Sequence, residues 1–540
     1  MTNLATEALS YAWGLPHLTH SVILNGEKTA VTLNLHDALR RLRRRLRSRH
    51  LWVDALCINQ TDDREKSHQV NLMKEIYSKT YRATLWLDDY LDVQSPNPGS
   101  QLAPHATSVS HKVPRDTALA AFGLLKSMAK DKHYWDTKNP DAANRRIVAL
   151  DSILQLPWWH RIWTVKEVVL PERAILQCGT MTIPWQKFWL AAKNSDSHFV
   201  TGCCEKEREQ SVINSFWGQA QNIGYLRAGS SSAEKVIAAA NLFRARQVFD
   251  PRDRVYALLG MGSTLSADYS ISSHEDVFEM SVRSFIAESG TIGSLTRPAE
   301  VQRSPTLPTW VPDFCAGIDQ SCFDDELTWL LVYGVFNTSR STKSTPRNST
   351  FDHILHLEGF VVDQIVTLGD PLENVANPAE IVAQWQGVVS AHCVDHGDRY
   401  PLGGTYHDAF WRTTVADLII EDTKVDGPLW RRATAADEAD ARHSWSPDSS
   451  LLARPPRLWN RTRFFMTRTS LLGLGKTGME VGDSVWVLLG GNMPFMLRTA
   501  ETSDIDGAQR HRYIGHVYLN GIMDGELIDD GREREWISLV

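Results

Sequence analysis

The stretch LWVDALCINQTDDREKSHQVNLMKEIY, residues 51–77, contains the alternation on which the N-terminal fold is built. Its opening segment, LWVDALCI, is nearly all apolar, as expected of a buried strand. The polar loop NQTDDRE follows, and apolar residues then recur at helical spacing at Val70, Met73, Ile76 and Tyr77. The stretch therefore predicts a strand, a loop and a helix in that order.

Strand-like segments at residues 8–11 and 83–87 flank this stretch. Strands that alternate with helices favour a parallel sheet with helices on its faces. The resulting expectation is an α/β domain at residues 1–175. A single core stops growing at roughly 250–300 residues, so the 540 residues predict more than one domain. After the α/β domain we expect a mainly helical region at 176–300 and a strand-rich α+β region at 301–540.

The arginine-rich segment 39–50 predicts an amphipathic helix with a solvated basic face. Its apolar stripe would consist of Leu35, Leu39, Leu42 and Leu46. The alternative is that the basic face attracts nucleotide phosphates, an acidic protein or an anionic membrane surface. Both interpretations stay open at the level of the sequence.

Two polar stretches predict loops. Residues 93–114 are rich in Pro, Ser and His and interrupt the alternation of strands and helices, which is typical of an insertion loop. Residues 337–350 contain too few apolar side chains to form a core and predict a mobile surface loop.

The overall composition excludes several classes of function. With 57 basic and 64 acidic residues the net charge is -7, so the chain lacks the electrostatic footprint of a nucleic-acid-binding protein. Its seven scattered cysteines are typical of thiols in a reducing compartment. The longest apolar-rich run, residues 327–336, is far shorter than the roughly 20 residues of a membrane span. We therefore expect a cytoplasmic protein without a transmembrane segment.

Two motifs carry little functional weight. GLGKTG at residues 473–478 has the spacing of a dinucleotide-binding loop, but a turn and a strand follow it instead of a helix, so we interpret it as a tight loop. His392, Cys393, His396 and His407 lie close in sequence, yet no second pair completes a zinc-binding spacing. The sequence therefore predicts no metal site.

The end of the first strand provides candidate ligand-binding residues. In parallel α/β sheets ligands bind at the carboxyl ends of the strands, and this edge would be lined by Ser10, Tyr11, Trp13 and Gly14. The structural alternative is a core tyrosine and tryptophan followed by a turn glycine.

Asp54, Asn59 and Gln60 extend this candidate site from the second strand. A carboxylate in an apolar strand requires a partner, and the three polar groups could surround a nucleotide-like ligand. The structural alternative is loop anchoring and helix capping, with Asp62 or Asp63 as the N-cap residue.

Trp163 and Glu167 lie four residues apart in RIWTVKEVVLP, residues 161–171. In a helix they share one face, which places an aromatic ring beside a carboxylate. The alternative is an ordinary glutamate in the first turn of a helix that enters the core.

Three segments together resemble the signature of the fungal heterokaryon-incompatibility (HET) domain: ALSYAWG at residues 8–14, the stretch at 51–77, and RIWTVKEVVLP. The chain departs from the common pattern at Asp88 and at Lys166, where Gly and Gln are usual. Further along, DPRDRVYALLGM, LPTWVPDF and GHVYLNGIMDGEL are similar to segments that accompany this domain in full-length fungal proteins.

The HET domain resembles the TIR domains of innate immunity and cell death, which implies a flavodoxin-like parallel sheet with flanking helices. The resemblance implies self/non-self recognition and programmed cell death when incompatible hyphae fuse, through self-association or protein partners. An alternative, by resemblance to TIR-type NAD hydrolases, is cleavage of the nicotinamide–ribose bond with Glu167 as the catalytic carboxylate. NAD would then be the substrate, and the resemblance assigns no resident cofactor. A third alternative is a paralogue without a role in incompatibility.

Overall fold

The computed structural model of the protein describes residues 6–14, 18–91, 112–135, 138–200, 203–204, 210–229, 233–296, 303–317, 332–347, 353–372, 378–423, 427–443, 461–500 and 509–540. The chain divides into two compact units. The first unit comprises Met1–Ala239 and Ala245–Ser272, and the second comprises Ala240–Arg244 and Ser273–Val540.

The first unit is built on a five-stranded sheet of order β4-β1-β5-β8-β9. Its first four strands are parallel, and β9 pairs antiparallel with β8. Two small pairs, β2 with β3 and β6 with β7, accompany the sheet. The predicted α/β architecture with a parallel sheet near the N-terminus is therefore confirmed. The strands are β1 (Glu7–Tyr11), β2 (His20–Leu24), β3 (Glu27–Val31), β4 (Leu51–Trp52), β5 (Arg82–Asp88), β6 (Tyr90–Leu91), β7 (Val113–Pro114), β8 (Ala174–Cys178) and β9 (Met181–Pro184).

Helices dominate the middle of the chain, as predicted. Up to residue 272 they are α1 (Leu33–Leu42), α2 (Asp54–Cys57), α3 (Asp63–Lys79), α4 (Arg115–Met128), α5 (Pro140–Leu154), α6 (Thr164–Val169), α7 (Trp185–Val200), α8 (Gln210–Ala228), α9 (Ala233–Leu242) and α10 (Asp253–Tyr256), with a 3₁₀ turn at Pro157–His160. In the part of the chain that the structure describes, no helix is long and apolar enough to cross a membrane.

The stretch at 51–77 folds in the predicted order, but its strand is shorter than predicted. Only Leu51–Trp52 form β4, and the backbone turns into α2 at Asp54. The reason is local, because the Asp54 carboxylate accepts a hydrogen bond from the backbone N–H of Ala55 at 2.8 Å, which stabilises a helical turn. In α3 the predicted apolar face is buried at Val70, Met73 and Tyr77.

The helix predicted over the arginine-rich segment ends early. α1 stops at Leu42, and Leu46, which was expected on the apolar stripe, is 96% exposed. Arg49 folds back instead, and its guanidinium donates to the carbonyl of Leu42 at 2.9 Å and to the carboxylate of Glu7 at 2.7 Å. This side chain satisfies a carbonyl of the last helical turn, so the helix can end there.

The second unit contains an eight-stranded sheet that closes on itself. The long strand β10 pairs with β13, β15 and β19, and the order β15-β16-β17-β19-β10 is closed by the β10–β15 pairing. The predicted strand-rich C-terminal region is therefore a barrel-like sheet. Its strands are β10 (Leu355–Leu372), β13 (Thr462–Thr467), β14 (Leu472–Lys476), β15 (Ser484–Leu488), β16 (Phe495–Thr499), β17 (Arg510–His516), β18 (Tyr518–Leu519) and β19 (Glu535–Leu539), beside the separate pair β11 (Leu418–Thr423) and β12 (Gly427–Arg432).

In the described part of the second unit the helices are α11 (His274–Ser289), α12 (Pro378–His396), α13 (Tyr406–Thr414) and α14 (Glu438–His443), with 3₁₀ turns at Gly293–Leu295, Tyr333–Val335 and Ala435–Asp437. α12 and α13 contribute Trp385, Phe410 and Trp411 to the core under the sheet. The ring of Trp385 stacks on that of Phe464 in β13, with 5.8 Å between centroids.

Of two loop predictions for this unit, one agrees with the described residues in its backbone and one is wrong. Residues 337–347 form turns and irregular backbone, as predicted for a loop. Thr338, Ser339 and Ser344 are nevertheless buried, because backbone hydrogen bonds to Asn492 and Gly290 hold the segment in place of apolar contacts. The GLGKTG motif begins within β14, not in a tight loop. A Cβ added at Gly473 would meet the ring of Phe465 at 2.3 Å, so the glycine allows close packing within the sheet. Most of the insertion predicted at 93–114 lies outside the described residues.

Candidate functional site

The candidate site lies at the carboxyl end of β1. This strand is placed between β4 and β5, where the chain connections of the sheet change direction, which is the usual ligand position in open α/β sheets. Asn34 fixes this end, because its amide donates to the carbonyl of Ala12 at 2.6 Å and accepts from the indole of Trp86 at 2.8 Å. Asn34 in α1 therefore connects the end of β1 to β5.

Arg161 connects the end of β1 with Asp54. Its guanidinium donates to the carbonyl of Tyr11 at 2.8 Å and lies 3.9 Å from the Asp54 carboxylate. The same guanidinium lies over the ring of Trp13, 4.8 Å from its centroid, and the indole N–H of Trp13 donates to Asp54 at 2.8 Å. Together with the backbone N–H of Ala55, these two side chains provide the partners that a buried carboxylate requires.

Glu167 completes this cluster from α6. Its side chain is buried, with 2% of the residue exposed, and within the described residues Oε2 has no hydrogen-bond partner. Burial raises the pKa of Glu167 to about 7 and Asp54 adds to the increase, whereas Arg161 and a hydrogen bond from Ser10 act against it. Near neutral pH this carboxyl group can therefore both release and accept a proton.

The hydroxyl groups of Ser10 and Tyr11 donate hydrogen bonds to the carboxyl groups of Glu167 and Asp54. The indole of Trp158 donates to the hydroxyl oxygen of Ser10 at 2.8 Å, which leaves the Ser10 proton for Glu167. Burial raises the pKa of Tyr11, and the neighbouring Asp54 carboxylate raises it further, so the phenol stays protonated. Ser10, Tyr11, Trp13, Asp54, Arg161 and Glu167 together form a group that we call the Glu167 cluster.

Trp163 is directed toward a second buried group beside the cluster. It precedes α6 in helical conformation, so the predicted four-residue spacing to Glu167 is helical. Its indole donates to Asp253 at 2.9 Å, and the Lys166 ammonium lies 4.2 Å from its ring centroid. Asp253 also accepts from the hydroxyl of Tyr269 at 2.6 Å. Burial lowers the pKa of Lys166 to about 7.

Three other predicted site residues are exposed. Gly14 adopts a positive φ of 75° in an exposed turn after β1. Asn59 is exposed, and its amide oxygen accepts from the backbone and hydroxyl of Thr61 at 3.2 and 2.8 Å. Gln60 is exposed in the same loop. The alternative of loop anchoring therefore describes Asn59 better than ligand binding does.

Two members of the site were missed in the sequence. Arg161 opens the third signature segment, and Trp158 belongs to the nearby pair of tryptophans, so both were visible as residues. Their roles depend on contacts to the end of β1, about 150 positions earlier in the chain. No local periodicity reports such contacts.

The histidines 392, 396 and 407 lie in the second unit and have other partners. The rings of His392 and His396 stack at 4.4 Å, and His392 Nε2 lies 3.1 Å from the Tyr406 hydroxyl. His407 Nε2 lies 2.9 Å from the Glu438 carboxylate. Tyr406 and His407 line a cavity of about 670 Å³ between α12 and α13, together with Cys393 and Trp411.

This chain is similar to known proteins at its N-terminal end, at its C-terminal end and, in one case, along almost its whole length. A family model described as heterokaryon incompatibility protein (HET) matches residues 7–167, and one described as Het-6 beta-barrel domain matches residues 457–540. The chain is similar to heterokaryon incompatibility protein 6, OR allele, of Neurospora crassa, with 25% identity covering 99% of this chain and 91% of that protein. No solved structure matches.

Proposed function

The chain is a heterokaryon-incompatibility (HET) domain protein, and we propose that it acts in self/non-self recognition and triggers cell death when incompatible hyphae fuse. The observation that carries this proposal is the HET match over residues 7–167, combined with similarity to an incompatibility protein along 99% of the chain. The match of a second family model, described as Het-6 beta-barrel domain, at residues 457–540 adds support from the C-terminal end of the chain.

We also propose that the Glu167 cluster is the working centre of the HET domain. All its members lie within the matched residues and within one compact unit. The sheet supports the TIR-like interpretation, because its strands, numbered along the chain, follow the order 2-1-3-4-5 of flavodoxin-like sheets. The fifth strand departs from that pattern, since β9 is antiparallel to β8.

The recognition function predicts a defined outcome in hyphal fusions. A strain that expresses this chain should form inviable fusion cells with a strain carrying an incompatible allele, and viable ones with its own background. The measurement is the viability of fusion cells by dye exclusion, with a strain carrying the empty cassette as the control. Equal viability with every tester strain, at confirmed expression, would contradict the proposal.

A second candidate function is cleavage of the nicotinamide–ribose bond of NAD. The observation that favours it is the buried Glu167 carboxyl, which has a pKa of about 7 and lies beside the hydroxyl groups of Ser10 and Tyr11. Among the residues that the structure describes, its Oε2 atom has no hydrogen-bond partner. A carboxylate stabilises the oxocarbenium-like state through which such a bond breaks. Because Glu167 is buried, this function requires the cluster to open before a ribose can contact it.

Glu167→Gln tests the enzymatic function, because the amide keeps the size of the side chain and removes its negative charge. If NAD is the substrate, the purified variant should release nicotinamide about 100-fold more slowly than the unmodified protein, or not at all. Glu172→Gln is the matched control, since Glu172 is an exposed glutamate five positions further on. Turnover that is equal in both variants would exclude Glu167 as the catalytic carboxylate.

The proposed partners are protein molecules, either further copies of the chain or an incompatible counterpart, and the proposed location is the cytoplasm. In support, the cysteines in the described part of the chain are thiols, as a reducing compartment requires; Cys322 lies outside that part. The net charge of -7 gives no general attraction for nucleic acid.

A further inference from the structure

Four metal-ligating side chains of the first unit meet near the ends of α4 and α7. His133 lies in the turn after α4, His198 in the last turn of α7, and Cys203 and Cys204 shortly after α7. The two helices are joined beside this place, because the amide of Asn194 in α7 donates to the carbonyl of Met128 at 2.7 Å. The chain therefore brings ligands separated by about 70 positions to one location.

The four ligand atoms form a compact set. All of them lie within 4.8 Å of one another. His133 Nδ1 lies 3.2 Å from Cys204 Sγ, and His198 Nδ1 lies 2.9 Å from Cys203 Sγ. Neither cysteine is in a disulfide, so both sulfur atoms are thiols. In a tetrahedral zinc site, bond lengths of about 2.0 and 2.3 Å place N and S about 3.5 Å apart, so each pair would open by only a few tenths of an ångström.

In both imidazoles the Nδ1 atom is the one that faces a cysteine sulfur. The Nε2 atom of His198 lies 3.4 Å from the carboxylate of Asp131, within ion-pair distance of it. A carboxylate on that side is available to orient the imidazole when Nδ1 binds a metal. Asp131 reaches this position through a left-handed backbone conformation, with φ of 57°, directly after α4. The rings of His133 and His198 are 4.6 Å apart, and Tyr134 packs its edge against His198.

We propose that His133, His198, Cys203 and Cys204 bind one zinc ion. Two thiolates and two imidazoles are the ligand set of closed structural zinc sites, whereas magnesium and calcium require oxygen ligands. On binding, each thiol releases its proton to solvent, and the two thiolates neutralise the charge of the ion. With four protein ligands no position is left for a substrate, so the site is structural and connects the end of α4 to the end of α7.

The sequence alone gives little sign of this site. Zinc-binding cysteines are usually separated by two to four residues, whereas Cys203 and Cys204 are adjacent, and His133 is distant from both. The prediction of no metal site rested on spacing, and spacing does not report the packing of α4 against α7.

The test uses the purified full-length chain, stripped of metal under reducing conditions and titrated with Co²⁺ and Zn²⁺. We expect one equivalent of Co²⁺ to produce the visible bands of tetrahedral cobalt together with a thiolate-to-cobalt charge-transfer band. Zinc should displace the cobalt and abolish these bands. After purification without chelators, elemental analysis should give one zinc ion per chain.

Variants identify the ligands. Cys203→Ser and His133→Ala alter the two exposed ligands, and each should lose the tetrahedral spectrum and at least tenfold in zinc affinity. Cys315→Ser and His68→Ala change exposed residues outside the set and should behave like the unmodified chain. Circular dichroism confirms that each variant is folded. If Cys204→Ser fails to fold because Cys204 is buried, the two exposed variants still decide the matter.

Two results would overturn the proposal. One is the absence of a tetrahedral cobalt spectrum in the unmodified chain, or its persistence in the Cys203→Ser and His133→Ala variants. The other is a disulfide between Cys203 and Cys204 under reducing conditions, detected as a mass two hydrogens lower for the peptide that contains both. In that case the sulfur atoms would be unavailable to a metal.

Discussion

Glu167 holds a carboxyl group in a place that water does not reach, next to the equally buried Lys166. Desolvation acts on the two side chains in opposite directions, since it raises the pKa of the acid and lowers that of the base, in both cases to about 7. An ionised group in this position destabilises the folded protein. Side chains retained at such a cost are often functional, which is a physical reason to place the working centre at Glu167.

The raised pKa makes the stability of the first unit depend on pH. The pKa of Glu167 is about 7 in the folded chain against an ordinary value of 4.5, so between these values the folded state binds more protons than the unfolded state. The free energy of unfolding contributed by this group is therefore fully present below about pH 4.5 and is lost as pH rises through 7.

Replacing Glu167 by Gln should remove this dependence. Gln is neutral at every pH, so the variant should gain stability relative to the unmodified chain between pH 5 and pH 8, on the order of 3 kcal/mol. Urea unfolding at the two pH values, followed by tryptophan fluorescence, measures the difference. Glu172→Gln should show no such change, because Glu172 is exposed. A Glu167→Gln curve that stays parallel to that of the unmodified chain would contradict the burial of the charge.

Among the individual site residues, the sequence predicted the chemical types better than the contacts. The sequence identifies Ser10, Tyr11, Trp13 and Asp54 because they end or interrupt apolar strands. In the structure, Tyr11, Trp13 and Asp54 lie around Arg161, and Ser10 binds Glu167. The same reasoning predicts Asn59 as a ligand-binding residue, yet its side-chain oxygen accepts a hydrogen bond from Thr61 in its own loop. Asn59 and the four other residues are all polar or aromatic residues near the end of an apolar segment. Only their positions relative to the edge of the folded sheet differ.

Helix α3 begins where its sequence predicts, and its first turn allows the predicted N-cap to be tested. Asp62 is the N-cap residue, and its carboxylate accepts from the backbone N–H groups of Arg64 at 2.9 Å and Glu65 at 3.1 Å. The negative charge also lies at the positive end of the helix dipole.

Asp62→Ala should therefore lower the free energy of unfolding by about 1 kcal/mol. Asp63→Ala is the matched control, because Asp63 is the first helical residue and caps no backbone N–H in the described structure. Both variants are compared by urea unfolding at pH 7. The assignment of the cap would be wrong if the Asp63 variant lost as much stability as the Asp62 variant.

Other elements show where local sequence patterns fail. The stripe of Leu35, Leu39, Leu42 and Leu46 predicted a longer α1, but Arg49 binds Glu7 and the end of the helix, and Leu46 is left in solvent. An ion pair with β1 thus determines where α1 ends. Periodicity identified the helix, whereas a residue outside the helix set its boundary.

In the whole molecule, the sequence predicts the order of strands and helices better than the strand pairing that closes the C-terminal sheet. Alternating strands and helices indicated the parallel sheet of the first unit, and short alternating segments indicated the strand-rich end of the second. The pairing of β10 with β15, which closes the C-terminal sheet, joins residues more than 100 positions apart. Such pairings depend on tertiary contacts, and no short window of sequence contains them.

From the HET match and the geometry of the Glu167 cluster we propose that the cell-death signal depends on the Glu167 carboxyl group. The most direct test is the hyphal-fusion assay with the unmodified chain, Glu167→Gln and Glu172→Gln at equal protein amounts. Inviable fusion cells for the unmodified chain and for Glu172→Gln, with viable cells for a folded Glu167→Gln variant, are the predicted result. Fusion cells that die equally with Glu167→Gln would contradict the claim.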